Sequence, residues 1–309
     1  MASSPRLPAE LTDYTVDFLH DDHHALRALA LTAHATLNSA RYHLFYAVAL
    51  HSAHDLSKFS ALVTQNPHIT PYIQSLTLSK AASTPATTQV STVDTASAWE
   101  TTLADSQLPA HLPALKELHL AHFLSFWQPT SFSILSYACF TTVRTLRVSD
   151  SSLRSFTELR FLLAALPDVR ALVLDAVGIG MKPEDLTWLS SGGEEKDEQE
   201  RRQLIDGTMT PPSLRSRARA LPLFKDPVAL SSLHVASRPS SAEAFSPSLS
   251  KDALGVLLGY LLATPSVFAL SAGEVKLDGF EGQGEEVAGM VKGFRDALVK
   301  ARREREDWV

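Results

Sequence analysis

Five short segments share the pattern apolar-x-x-Leu-x-apolar, and this pattern constrains the fold more than any other feature of the chain. The last three residues of each segment alternate apolar, polar and apolar, which is the periodicity of a β-strand with one buried face. A helical pattern over Ser155–Leu166 separates two of the segments and ends at Pro167. Strand, helix and strand in succession predict parallel strands joined by right-handed crossovers. The segments are Ile73–Leu78, Leu115–Leu120, Val143–Val148, Val169–Leu174 and Leu230–Val235.

The spacing of the central leucines indicates a repeating architecture. Leu118 and Leu146 are 28 residues apart, and Leu146 and Leu172 are 26 apart. Both intervals lie within the period of about 20–29 residues that leucine-rich repeats use. Two other intervals are longer because they contain polar stretches without apolar periodicity, and we expect mobile insertions near residues 81–107 and 192–219.

The end of the chain returns to apolar patterns. Ala253–Leu262 predicts a buried helix, and Ser266–Leu270 is compatible with one more strand. Apolar residues then recur at helical spacing from Val287 to Ala301, which predicts a helix that caps the open end of the stacked strands.

Composition excludes several classes of function. The 309 residues carry a net charge of −6 and no extended basic block, which argues against binding to a nucleic-acid backbone. A single cysteine, Cys139, allows no intrachain disulfide and no cysteine-based zinc site, and fits a reducing compartment. Met1–Arg6 lacks the features of a secretory signal, and no apolar stretch reaches the length of about 20 residues that a membrane span needs. We therefore expect a cytoplasmic or nuclear protein without membrane contact.

Residues 7–50 predict a compact unit of three short helices. Pro8 suits a first helical turn, and Asp21 and Asp22 can cap a second helix. Apolar positions recur at helical spacing in all three helices. Such a small unit buries too little surface to be robust alone, so it needs the rest of the chain or a partner. The predicted division is therefore a helical domain at 1–50 and a repeat domain at 51–309.

Residues 7–45 resemble an F-box of the fungal type. Leu7-Pro8-x-Glu10-Leu11 and Val16–Leu19 match the opening of that family, and Leu26–Leu31 matches its second helix. Ser39–Phe45 and the later segment Asn66–Leu78 are similar to fungal F-box proteins with repeat-like C-terminal regions. The resemblance implies an α/β fold in which an N-terminal three-helix F-box is followed by an irregular leucine-rich-repeat-like solenoid.

The resemblance also implies a function. F-box proteins are non-catalytic substrate receptors of SCF-type cullin-RING ubiquitin ligases: the F-box binds the adaptor subunit, the adaptor connects it to the cullin, and the C-terminal region binds a protein substrate. Ala33 and Thr36 stand where the family usually has Cys and Trp, and a repeat scaffold that does not assemble into a ligase is therefore the alternative. The expected adaptor contacts are the apolar positions that match the family pattern: Leu7, Pro8, Leu11, Val16, Leu19, Leu26 and Leu29.

The strand pattern predicts where a substrate would bind. If the leucines and valines of each strand point into the core, the side chains between them share the opposite, exposed face. Parallel neighbouring strands lie about 4.8 Å apart, so these side chains merge into one surface. That surface is mixed and polar, with Arg147 as the strongest candidate contact. The predicted substrate-binding residues are Glu117, His119, Thr145, Arg147, Ser149, Val173, Asp175 and His234.

Three patterns are candidates for a metal site, a phosphate-binding loop and a nucleophile, and none of them supports an enzyme. The histidine groups near His20, His51 and His119 lack the spacing of a metal motif. Gly279–Gly284 has neither the spacing nor the lysine of a phosphate-binding loop, and its glutamates would repel phosphate. Cys139 has no base nearby in the sequence. We predict no catalytic residue, no metal and no cofactor.

Overall fold

The structure of the protein is a computed structural model. The structure describes residues 8–32, 34–79, 102–103, 108–122, 140–153, 165–180, 230–236, 251–263, 275–278 and 285–306, together with 159, 162 and 163.

Three helices open the described chain. They are α1 (Ala9–Phe18), α2 (His23–Thr32) and α3 (Leu37–Tyr46), and the 3₁₀ turn His34–Thr36 separates the last two. Strand β1 (Ala47–Leu50), helix α4 (Ala53–Gln65), the 3₁₀ turn Pro67–Tyr72 and strand β2 (Ser75–Ser79) follow. The remaining elements are the 3₁₀ turn Leu108–His111, β3 (Glu117–Ala121), β4 (Thr145–Leu153), β5 (Ala171–Ile179), β6 (Ser232–Ala236), α5 (Lys251–Ala263), β7 (Val275–Asp278) and α6 (Glu285–Glu306).

The seven strands form one all-parallel sheet whose spatial order is the order of the chain, β1 to β7. The five segments predicted as strands are β2 to β6, and their parallel pairing is confirmed. In-register partners run across the sheet from Val48 through Leu76, Leu118, Leu146, Leu172 and Leu233 to Val275. The helices predicted at Ala253–Leu262 and from Val287 to Ala301 are present as α5 and α6.

The predicted fold, an N-terminal three-helix F-box followed by an irregular leucine-rich-repeat-like solenoid, is wrong. The structure is an α/β fold with helices around a seven-stranded parallel sheet, and the first strand lies at Ala47–Leu50, directly after α3. Register partners are 28, 42, 28, 26, 61 and 42 residues apart along the chain, so they do not follow a repeat period. The leucine pattern shows only that one face of each strand is buried, and a parallel sheet with helices packed on one face produces the same alternation. The predicted boundary between residues 50 and 51 stays a prediction.

The alternation of each strand places its apolar residues in the main core. Leu118, Leu120, Leu146, Leu172 and Leu174 have no exposed surface, which confirms the predicted direction of the strand side chains. The residues described between β4 and β5 contribute Leu159, Leu162, Leu163 and Leu166 to the same core. Helices α5 and α6 close it through Leu257, Val287, Phe294 and Leu298.

The three N-terminal helices have a small core of their own. Val16, Leu26 and Ala40 are buried against one another, and Leu19, Leu29, Ala30 and Leu44 pack around them. Helix α2 begins at a true cap, because the Asp22 carboxylate accepts hydrogen bonds from the backbone N–H groups of His24 (3.0 Å) and Ala25 (2.9 Å). Phe45 of α3 packs against the main core, so α3 joins the small core to the sheet.

A backbone kink crosses three neighbouring strands. His122, Asp150 and Ala176 have φ values of 60°, 46° and 52°, in the left-handed region that non-glycine residues rarely adopt. Each directly follows one of three in-register partners, Ala121, Ser149 and Asp175. In β4 the kink reverses which side chains face the core: Leu146 and Val148 are buried before it, and Ser151 and Leu153 after it.

Several predictions fall on residues that the structure does not describe. They concern the insertions at 192–219 and at most of 81–107, the possible strand Ser266–Leu270, the Gly279–Gly284 loop, and Cys139. Leu7 also lies outside the described residues. Within 81–107 the structure describes only Thr102 and Leu103, and Leu103 is part of the main core.

Candidate protein-binding surfaces

Helix α1 carries an exposed apolar stripe on the side that faces away from the small core. Leu11, Tyr14 and Phe18 are spaced by three and four residues, which puts them on one face of the helix. Their exposed fractions are 51 %, 62 % and 73 %, and the rings of Tyr14 and Phe18 meet edge to face at 5.4 Å. We call these three residues the α1 stripe. The largest exposed apolar patches of a protein often mark sites where another molecule binds, so the α1 stripe is a candidate docking surface.

Other exposed apolar side chains lie near the same end of the chain. Leu31 of α2 is 88 % exposed and Tyr42 of α3 is 39 % exposed. Of the seven large apolar residues that are exposed in the described part of the chain, five belong to α1, α2 and α3; the other two are Leu62 and Val299. This concentration distinguishes the N-terminal helices from the rest of the described surface.

The predicted adaptor contacts divide into two groups. Val16 and Leu26 are fully buried in the small core, and Leu19 and Leu29 pack against it, so these four hold the helices together. Pro8 and Leu11 are exposed. The Pro8 carbonyl accepts hydrogen bonds from the backbone N–H groups of Leu11 (3.1 Å) and Thr12 (3.2 Å), so Pro8 also starts α1. Tyr14 and Phe18 lie on the same helix as Leu11 but were not among the predicted adaptor contacts.

Polar contacts hold α1 against α3 and fix the orientation of the α1 stripe. The Ser39 hydroxyl donates to the Asp13 carboxylate, and His43 Nε2 lies 2.8 Å from Asp17 Oδ1. Thr36 is buried, and its hydroxyl donates to the Leu29 carbonyl at 3.0 Å. A threonine fits this position because its hydroxyl satisfies a carbonyl near the end of α2.

The second surface is the polar face of the sheet. One row of in-register residues crosses six strands: Thr77, His119, Arg147, Val173, His234 and Lys276. Glu117 and Thr145 lie in the row before it, and Ser149 and Asp175 in the row after it. All eight predicted substrate-binding residues therefore fall within three adjacent rows. Of these eight, Ser149 is buried and the other seven keep exposed surface.

Diagonal contacts tie the polar face together. His119 Nε2 lies 2.8 Å from Ser149 Oγ, Arg147 donates to Asp175 at 3.5 Å, and His234 Nε2 lies 2.8 Å from Asp278 Oδ2. In each case the first residue lies in the central row, and its partner lies on the next strand, one row further on. The contacts position the two histidines and Arg147, and they leave the Arg147 side chain half exposed.

The electrostatics of this face centre on His119. Burial lowers the pKa of the His119 imidazole below its ordinary value, and the neighbouring Arg147 guanidinium lowers it further. Asp175 acts in the opposite direction but more weakly. A neutral imidazole can both accept and donate a hydrogen bond, so His119 presents a neutral polar contact beside a cation.

The sequence missed three members of this face, Thr77, Lys276 and Asp278. Thr77 lies between Leu76 and Leu78 in the first of the five segments, so the alternation alone could have identified it. Lys276 and Asp278 lie on β7, which has no apolar-x-x-Leu pattern. Only the pairing of β7 with β6 brings them beside His234 and Ala236.

In the described part of the chain, no group of three or more His, Cys, Asp or Glu side chains is placed to hold a metal ion. Within the same ranges, no helix combines the length and the apolar character that a membrane crossing requires. No protein-family model, curated protein or solved structure matches this chain.

Proposed function

We propose that this chain is a non-catalytic substrate receptor of an SCF-type cullin-RING ubiquitin ligase. The observation that carries the proposal is the α1 stripe, three large apolar side chains left in water on a segment that resembles an F-box. In this proposal the α1 stripe binds the adaptor subunit, the adaptor connects the chain to a cullin, and the polar face of the sheet binds the protein substrate. The proposal implies that the protein acts in the cytoplasm or the nucleus.

Two features support a binding role for these surfaces. The α1 stripe combines a Tyr and a Phe, which supply large contact area at protein interfaces. The polar face mixes a half-exposed Arg, two histidines and small residues on a rigid sheet. Side chains on a paired strand need little reorganisation to bind, which lowers the entropic cost of an interface.

Gentle affinity purification of the tagged full chain, followed by mass spectrometry, tests the proposal. Wild type should co-purify adaptor and cullin peptides. The double variant Leu11→Ser with Phe18→Ser should lose both, because it removes two of the three apolar side chains of the α1 stripe. Leu62→Ser with Val299→Ser is the matched control, since it also removes two exposed apolar residues, and it should retain the adaptor.

Three outcomes contradict the proposal. In the first, wild type co-purifies neither adaptor nor cullin. If wild type then co-purifies other proteins that the α1 stripe variant does not, the scaffold alternative is favoured. The α1 stripe variant could retain the adaptor in full. The control could lose it to the same extent, which would show that general surface apolarity drives the capture.

A further inference from the structure

The second residue of each apolar-x-x-Leu segment forms a row along the amino end of the sheet. These residues are Gln74, Lys116, Arg144, Arg170 and Ser231, and we call the row the amino-edge ladder. The Lys116 N–H donates to the Gln74 carbonyl at 2.8 Å. The N–H groups of Arg144, Arg170 and Ser231 each donate at 2.7 Å to the carbonyl of the preceding member. The five residues are therefore direct neighbours across five strands.

The centre of the amino-edge ladder consists of three cations on three consecutive strands. Lys116, Arg144 and Arg170 are all exposed. Strand spacing puts their backbones about 4.8 Å apart, so three positive charges start within a span of about 10 Å and repel one another. The Lys116 ammonium donates to the Gln74 side chain at 2.9 Å. Among the described residues, no carboxylate lies within ion-pair distance of these three cations.

We propose that the amino-edge ladder binds an extended acidic segment of the substrate protein, rich in Asp and Glu. This inference rests on the proposed function and names the chemistry of its substrate. Carboxylates on alternate residues of an extended chain lie about 6.8 Å apart. Two such carboxylates therefore fit within the span of about 10 Å that the three cations cover. Arg144 and Arg170 can each hold a carboxylate with two parallel hydrogen bonds.

Two exposed carboxylates flank the amino-edge ladder and moderate its positive charge. Glu117 follows Lys116, Asp168 precedes Arg170 by two residues, and both side chains are exposed. Three cations and two carboxylates leave a local charge of +1. That small excess attracts acidic side chains, and the two flanking carboxylates together with the net charge of −6 weaken the attraction for the denser charge of a nucleic-acid backbone.

The amino-edge ladder lies next to the polar face of the sheet and next to the N-terminal helices. Glu117 belongs to the polar face and directly follows Lys116. At the other end, the Gln74 N–H donates to the carbonyl of Tyr46, the last residue of α3, at 3.0 Å. Burial raises the pKa of the Tyr46 phenol, and the negative charge of Glu117 raises it further. A bound acidic segment would therefore lie between the sheet face and the N-terminal helices.

Direct binding of synthetic peptides to the full chain tests the inference. The probe is a fluorescein-labelled peptide in which Glu alternates with Ala, and the readout is fluorescence anisotropy at low salt. Lys116→Gln with Arg144→Gln and Arg170→Gln should weaken binding about tenfold. Lys58→Gln with Lys292→Gln and Arg303→Gln is the matched control, with the same charge change at exposed positions, and it should stay within about twofold of wild type.

A second variant tests the inference in the opposite direction. Asp168→Asn removes a negative charge beside the amino-edge ladder and should tighten binding of the Glu peptide about twofold. Binding should also fall as salt rises to about 150 mM, because exposed ion pairs are screened. Circular dichroism and thermal unfolding of each variant show that the fold is intact.

Four outcomes overturn the inference. The two triple variants could weaken binding equally. A peptide with Gln in place of Glu could bind as tightly. A phosphoserine peptide or an oligothymidine of equal charge could bind more tightly than the Glu peptide. Asp168→Asn could leave affinity unchanged. If the chain binds the Glu peptide but does not bind the adaptor, the proposed function is wrong while the inference about the amino-edge ladder stands.

Discussion

Ala176 occupies a backbone conformation that its side chain disfavours. Its φ of 52° lies in the left-handed region, and it has no exposed surface. His122, directly after β3, and Asp150, at the equivalent position of β4, are residue types that tolerate this conformation better. The neighbouring strands therefore hold Ala176 in place at a cost in local strain.

Ala176→Val should lower the free energy of unfolding by about 2–4 kcal/mol, because a β-branched side chain combines backbone strain with overpacking. Ala171→Val, in regular strand conformation at the start of β5, is the control and should stay within about 1 kcal/mol of wild type. Urea unfolding of both variants measures the difference. Equal destabilisation would show that the kink at Ala176 stores no strain.

His119 gives the polar face a pH dependence. Its pKa is lowered in the folded state, by burial first and by Arg147 second. The unfolded chain therefore binds a proton more readily, and folding stability is fully present above the ordinary histidine pKa and falls as pH drops through that value toward the folded pKa. Urea unfolding at pH 7.5 and 5.5 should show a smaller loss for His119→Asn than for wild type. An unchanged loss would contradict this role.

At the scale of elements, the N-terminal helices form a layer with its own small core. Leu26 has no exposed surface there, and the buried residues around it are separate from the main core. Leu26→Ala should therefore cost about 2–3 kcal/mol and speed amide exchange in α1, α2 and α3 by roughly 30- to 160-fold. The amides of β3, β4 and β5 should change much less.

Leu31→Ala provides the comparison on the same helix. Leu31 is exposed, so this change should cost less than about 0.5 kcal/mol. Hydrogen exchange with mass spectrometry measures both variants. If Leu26→Ala speeds exchange in the sheet as much as in the helices, the two cores unfold together and the helical layer is not a separate cooperative unit.

At the scale of the whole molecule, the fold places two different surfaces on one chain. The α1 stripe is apolar, and the sheet face is polar and charged. A substitution in one surface should remove the partners that bind that surface and leave the partners of the other surface bound. In the purification described above, Arg147→Ala should retain the adaptor and cullin and lose proteins captured by the sheet face. Lys58→Ala, which removes a cation from α4, is the control and should retain both sets. Retention of all partners by Arg147→Ala would exclude it from substrate binding.

The sequence alone predicted the elements that depend on neighbours along the chain. Alternation of Leu118, His119 and Leu120 was enough to predict a strand with one buried face. The helical stripe ending near Ala301 and the cap at Asp22 were equally local signals. The eight residues predicted on the polar face fall in adjacent rows because the same alternation recurs in each strand.

Tertiary structure decided what depends on residues far apart in the chain. Ala47–Leu50 reads as the end of a helical unit, and it becomes a strand only because its backbone pairs with Ser75–Leu78. The diagonal contacts of Arg147 and His234, and the row of Lys116, Arg144 and Arg170, exist only in the registered sheet. A local pattern records which side chains must be buried. It does not record which strand supplies the hydrogen bonds or what covers the buried face, and so the predicted repeat solenoid was wrong while the strands themselves were right.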